Sequence, residues 1–118
     1  MIVDNDTSML RMLKSIIMSS SINFGQIIEC VSAEEAITKY FIHKPDCVLM
    51  DVELEKMDGL EATEIIYAQD KLAKVIIVTS YDSPTARNKA KEIGARDFVA
   101  KDCLSDVIPI IQKIVCQR

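Results

Sequence analysis

Cys47-Val48-Leu49-Met50-Asp51 is a short apolar run that ends on a carboxylate. Four other runs have the same character: Met1–Val3, Ile27–Val31, Val75–Val78 and Phe98–Ala100. All are rich in aliphatic side chains and do not alternate with polar residues. A strand with one wet face alternates; an unbroken apolar run fits a strand buried on both faces, as in a parallel sheet.

The stretches between these runs have helical spacing. Thr7–Ser20 places Met9, Leu13 and Ile16 on one side, with Leu10 and Ile17 beside them. Ser32-Ala33-Glu34-Glu35 is a capping box, and Ala36, Ile37, Tyr40 and Phe41 form the stripe behind it. Gly59–Ala68 follows the turn signal Asp58-Gly59. Ser83–Ile93 opens with Ser-Pro and stops at Gly94; its inward side is thin, only Ala86, Ala90 and Ile93. Ser105–Cys116 ends the pattern, starting near Ser105 or Asp106 so that Pro109 falls in the first turn. Five strand–helix units predict one α/β domain over residues 1–118, with a doubly wound parallel sheet.

Composition narrows the function. Apolar residues are 49% and charged residues 27% of 118, which excludes disordered and fibrous classes. The net charge is −4 and no basic run occurs, so direct binding to nucleic acid or anionic lipid is not expected. No apolar run is long enough to span a bilayer, and the N-terminus shows no secretory pattern. Cys30, Cys47, Cys103 and Cys116 form no CxxC pair. They read as reduced thiols of a cytoplasmic protein, not a zinc site. The single histidine, His43, lies at a helix end before Pro45 and reads as a solvated residue, which argues against a Ser-His-Asp device.

In open α/β sheets, ligands gather beyond the carboxyl ends of the strands. The residues there are Asp4, Asn5 and Asp6 after the first run, and Asp51 after the third. Thr79 and Ser80 follow the fourth, and Lys101 the fifth. Each has an ordinary reading: Asp6 as a helix cap, Thr79 on a loop amide, Lys101 at the surface. Together they put carboxylates, hydroxyls and an ammonium at one edge. Clustered carboxylate oxygens suit Mg²⁺, and a lysine with a hydroxyl suits phosphoryl oxygens.

Five stretches in order then carry a resemblance. They are Val3-Asp4-Asn5-Asp6, Val48-Leu49-Met50-Asp51, Met57-Asp58-Gly59-Leu60, Val78-Thr79-Ser80 and Gly94-Ala95-Arg96-Asp97-Phe98-Val99-Ala100-Lys101. The chain resembles the receiver domain of two-component response regulators over essentially its whole length. The resemblance implies a flavodoxin-like (CheY-like) (βα)5 fold with strand order 2-1-3-4-5. It implies that Asp51 accepts a phosphoryl group from a sensor histidine kinase or phosphotransfer protein. It places Mg²⁺ with Asp4, Asn5, Asp51 and the Glu53 carbonyl. Thr79, with Ser80 beside it, and Lys101 would bind the phosphoryl group, and Phe98 would be the switch aromatic.

The sequence departs from the family pattern at three places. Asn5 stands where a second acid is usual, Glu55 where proline is common, and Asp102 where proline often follows the lysine. The Lys101-Asp102 pair resembles the subclass of receivers that carry a helix-turn-helix output; the sequence leaves open a stand-alone regulator and a receiver with an output domain outside this chain. Expected roles are therefore signalling without metabolic catalysis, with dimerisation through the fourth helix, fifth strand and fifth helix. Two alternatives stand beside this reading. One is a pseudo-receiver that binds proteins without phosphorylation, which Asn5 favours. The other is a small phosphohydrolase using Asp51, which lacks a well-placed general acid other than Glu53 and has no cap domain.

Overall fold

The computed structural model describes residues 1–115; Cys116, and with it the end of the predicted last helix, lies outside them. The order of elements is β1 (Ile2–Val3), α1 (Thr7–Met18), β2 (Glu29–Cys30), α2 (Ala33–His43), β3 (Val48–Met50), α3 (Gly59–Gln69), β4 (Val75–Thr79), α4 (Pro84–Glu92), β5 (Asp97–Ala100) and α5 (Val107–Val115). The strands form one parallel sheet in the order β2-β1-β3-β4-β5. The alternation of runs and helices predicts the doubly wound parallel sheet, and the family resemblance its flavodoxin-like (βα)5 strand order; both are found. Among the described residues no helix is long and apolar enough to cross a membrane.

The caps act where the sequence places them. Asp6 accepts the Ser8 N–H at 2.9 Å, Ser32 the Glu35 N–H at 3.1 Å, Asp58 the Glu61 N–H at 2.9 Å and Ser83 the Ala86 N–H at 3.1 Å. Each satisfies an N–H group with no partner inside its helix. The capping box at α2 is shifted by one residue: Glu35 reaches back to the Val31 N–H at 2.7 Å, not to that of Ser32. After α4, Gly94 adopts φ +98°, a left-handed conformation that side chains disfavour.

Two apolar clusters lie on opposite faces of the sheet. One joins Val3, Val48, Met50, Val75 and Ile77 to Ala36 and Tyr40 of α2, Ala62 and Ile66 of α3, and Ala90 of α4. The other joins Ile2, Leu49, Ile76 and Val78 to Leu10, Leu13 and Ile17 of α1 and Ile111 and Ile114 of α5. All five residues of β4 are buried, as the unbroken run predicts. Each large aliphatic side chain withdrawn from water contributes about 1.5–3 kcal/mol, so β4 anchors the domain.

Two expectations need correction. The two edge strands are not buried on both faces: in β5 only Val99 is fully buried, and in the run of β2 Ile27 and Glu29 are half-buried and Val31 exposed, because each edge strand has a single neighbour. The last helix does not begin at Ser105 or Asp106. Lys101–Asp106 form a 3-10 stretch with a kink at Cys103, and α5 starts at Val107. Pro109 then still lies in the first turn, where its missing N–H is harmless.

Candidate functional site

β1 and β3 are adjacent in the sheet, with Val3 opposite Met50, so the next residue of each strand is a carboxylate. The Asp51 N–H donates to Val3 O at 3.0 Å, and the Asp4 N–H to Cys30 O at 3.0 Å. These ladder bonds fix both backbones where the connections diverge to opposite faces of the sheet. That divergence opens the crevice in which such folds hold ligands.

Neither carboxylate faces solvent. Asp4 is 1% and Asp51 2% exposed, whereas a strand end followed by a loop, taken alone, would leave the Asp51 carboxylate facing solvent. The neighbouring loops close over both. Gly59 is part of the reason. A methyl group there would lie 1.8 Å from the Asp51 carbonyl oxygen, so only glycine lets α3 start this close to β3.

Buried carboxylates need partners, and these have them. Asp4 Oδ1 accepts the Asp6 N–H at 2.9 Å, and Asp51 Oδ1 accepts the Glu53 N–H at 3.3 Å. Lys101, from the residue after β5, places Nζ 2.8 Å from Asp4 Oδ2 and 3.2 Å from Asp51 Oδ2. No buried side-chain nitrogen or oxygen among the described residues lacks a partner.

The charges are tuned by this enclosure. Burial pushes the Asp51 carboxyl up from its ordinary range, and the neighbouring Asp4 charge adds to the rise; Lys101 and the Thr79 hydroxyl hold it back. Burial pulls the Lys101 ammonium down, but its hydrogen bond to Asp4 and the charges of Asp51 and Asp4 outweigh that, and the net shift is upward. Lys101 is therefore a fixed cation between two carboxylates.

The remaining residues surround this centre. Thr79 ends β4, is fully buried, and its Oγ1 accepts the Tyr81 N–H at 3.1 Å. Asn5 is exposed beside Asp4. Asp6 is engaged as the α1 cap. Ser80 and Glu53 are exposed, and the Ser80 hydroxyl donates to Glu53 Oε1 at 2.8 Å, joining the loops after β4 and β3. Phe98 is half-buried on β5, with the Arg87 guanidinium 4.6 Å from its ring centre.

Three of these relationships escape the sequence reading: the Ser80–Glu53 bond, the Arg87–Phe98 stack and the close approach at Gly59. Only the last has a signal, a poor helix former at the first position of a helix.

The donor set can be tested against a cation. Among the described residues no three His, Cys, Asp or Glu side chains group closely enough to hold a metal by themselves. The edge supplies two carboxylates, an adjacent amide at Asn5 and backbone carbonyls. Mg²⁺ commonly takes one or two carboxylates and completes its shell with water, so an all-oxygen set of this size fits it.

Residues 1–112 match the family described as the response regulator receiver domain. The chain belongs to the response regulator receiver family. This receiver is 36% identical over 114 residues to the chemotaxis protein CheY of Listeria monocytogenes, covering 96% of this chain and 94% of that one. It is 32% identical over 110 residues to the response regulator protein VraR of Staphylococcus saprophyticus. That match covers 92% of this receiver and 53% of VraR. Among solved structures it resembles the CheX–CheY–BeF3–Mg complex of Borrelia burgdorferi, with TM-score 0.87 and 28% identity over 96% of this chain and 85% of that one. A LuxR-family two-component response regulator from Aurantimonas sp. gives TM-score 0.87 at 28% identity, covering 99% and 84%.

Proposed function

We propose that residues 1–118 form one receiver unit of a two-component system in which Asp51 is the phosphoacceptor. The observation that carries this reading is the shared enclosure of Asp51, Asp4, Lys101 and Thr79 at the β1–β3 divergence. A nucleophilic carboxylate beside a fixed cation and a hydroxyl is suited to taking up a phosphoryl group.

In the proposed step an Asp51 oxygen attacks the phosphorus of a phosphohistidine. The histidine comes from a sensor kinase or a phosphotransfer protein. The new O–P bond forms as the N–P bond breaks, and the imidazole leaves with the electron pair. Asp4, Asn5, Asp51 and the Glu53 carbonyl would hold Mg²⁺, which when bound offsets the charge repulsion between phosphoryl group and carboxylate. Lys101 pairs with one phosphoryl oxygen. Thr79 turns its hydroxyl toward the new charge, and Phe98 responds on the α4-β5-α5 face, which meets the next partner. The chain assists its own phosphorylation and dephosphorylation and turns over no metabolite. Its partners upstream are the kinase or phosphotransfer protein. Downstream, the signal passes either to an output domain outside this chain or, for a stand-alone regulator, to a separate partner protein.

The test is mass gain on incubation with acetyl phosphate and Mg²⁺. One phosphoryl group should add to the unsubstituted chain and none to Asp51→Asn. Undiminished incorporation by Asp51→Asn would move the acceptor elsewhere. Absence of incorporation by the unsubstituted chain would favour a receiver that binds proteins independently of phosphate, the reading to which Asn5 lends weight.

A further inference from the structure

We propose that Arg87, clamped by Asp82, is a positioning residue that pins Phe98 in its resting place and ties that ring to the loop after Thr79. The coupling to phosphorylation rests on the receiver reading above; the pinning itself does not.

Asp82 lies in the loop between β4 and α4. The Asp82 N–H donates to Ser80 O at 3.1 Å, and the Tyr81 N–H donates to Thr79 Oγ1 at 3.1 Å, so Thr79 to Asp82 form one hydrogen-bonded turn. The Asp82 carboxylate then takes the Arg87 guanidinium in a two-point fork, Nε to Oδ1 at 2.6 Å and Nη2 to Oδ2 at 3.1 Å. A single contact would leave the guanidinium free to rotate, whereas a fork fixes its plane as well as its position. The guanidinium carbon lies 4.6 Å from the centre of the Phe98 ring, within cation–π range.

Other charges near Arg87 do not replace Asp82. Asp97 also acts on the guanidinium electrostatically, as more weakly does Cys103, but Asp97 Oδ1 accepts the Phe98 N–H at 2.8 Å. The Asp82 fork is the largest influence on Arg87. Phe98 is only half-buried, so its packing alone leaves room for another placement, and the ring lines the groove between α4 and β5 with Arg87, Ala90, Lys91 and Ala95. Displacement of Thr79 draws on the turn that carries Asp82, and the fork transmits this to the ring.

The chain has no tryptophan, so Phe98→Trp creates a single reporter at the ring position itself. Quenching of the indole emission by acrylamide is compared in the resting full chain carrying Phe98→Trp, with and without Asp82→Asn, Arg87→Gln or Arg87→Lys. An exposed cation–π contact shifts a two-state population about two- to fivefold. All three changes should therefore raise the quenching constant by about twofold. Arg87→Lys keeps the charge but loses the fork, and Asp82→Asn never touches the ring. Equal quenching with and without Asp82→Asn overturns the proposal.

A second measurement avoids the tryptophan. In the unsubstituted chain the Arg87 side-chain protons should resonate upfield under the Phe98 ring current, and Asp82→Asn should return them to ordinary shifts. Unchanged shifts overturn the pinning. Beryllium fluoride with Mg²⁺, a phosphoryl mimic, should change the indole quenching about twofold in Phe98→Trp alone and change it little in Phe98→Trp with Asp82→Asn. A full response in that double variant overturns the coupling. If neither responds and acetyl phosphate also fails to label the chain, the phosphoacceptor reading falls, while the resting comparison still decides the pinning.

Discussion

Lys101 Nζ stands 2.8 Å from Asp4 Oδ2, closer than its 3.2 Å to Asp51 Oδ2. The ammonium thus belongs at least as much to the acidic residue beside the proposed acceptor as to the acceptor itself. Removing it leaves two carboxylates buried together without a counter-charge. Lys101→Met should lower stability at neutral pH by about 3 kcal/mol. Urea unfolding measures this, and added Mg²⁺ should restore part of the loss by binding the vacated pair. A variant as stable as the parent would show that the carboxylates are neutralised in another way.

The raised Asp51 pKa fixes the sign of a pH effect. Burial, then the Asp4 charge, favours the protonated form in the folded chain. Its contribution to stability is complete below the unfolded carboxylate range and is lost as pH rises through the raised folded value. Asp51→Asn removes a group that is costly to ionise. The variant should therefore be more stable than the parent at pH 7, with the advantage vanishing in acid below the ordinary carboxylate range. Thermal unfolding from pH 3 to pH 8 in metal-free buffer checks this.

Asn5 gives the cation site one negative charge fewer than a second acid would supply. Affinity for a hard cation follows ligand charge, so Asn5→Asp should tighten Mg²⁺ binding about tenfold, ~1.4 kcal/mol. Asp6 Oδ1 is engaged as the α1 cap. Isothermal titration of both proteins decides the matter; equal affinities would place the ion away from Asn5.

Gly59 holds α3 against the Asp51 backbone. A Cβ there would meet the Asp51 carbonyl oxygen at 1.8 Å and Met50 Cγ at 2.9 Å, and the backbone atom has nowhere to go. Gly59→Ala should cost about 3 kcal/mol, the upper end of ordinary overpacking. It should also slow phosphate incorporation, because any relief displaces Asp51. Unfolding and labelling rates measured on one preparation test both.

Dimerisation through α4, β5 and α5 is the expected consequence of activation, and the pairing of charges within the chain narrows what that face can offer. Arg87 is committed to Asp82, and Lys89 pairs with Glu64 of α3 at 3.5 Å. Exposed Lys91 remains opposite in sign to exposed Asp102 and Asp106. Such patches can pair across a two-fold axis. Sedimentation with beryllium fluoride and Mg²⁺ should show a dimer that Lys91→Glu weakens. An activated chain that stays monomeric at high micromolar concentration would assign this face to a different partner.

The alternation of runs and helices, the caps at Asp6, Ser32 and Ser83, the turn at Asp58-Gly59, and the collection of Asp4, Asp51, Thr79 and Lys101 at strand ends were all legible in the sequence. They depend on short-range rules: side-chain period, orphan N–H groups and the polarity of a strand's end. Strand order came only through family likeness, since periodicity says nothing about which strands adjoin. The tertiary structure alone decided that Lys101 reaches past β4 to bridge Asp4 and Asp51, that Asp51 is buried, that Ser80 joins Glu53, and that Arg87 lies on Phe98. Each joins residues on different elements, and their separation is set by sheet order, register and helix packing. No local pattern encodes that distance, because it exists only once the two faces of the sheet have closed.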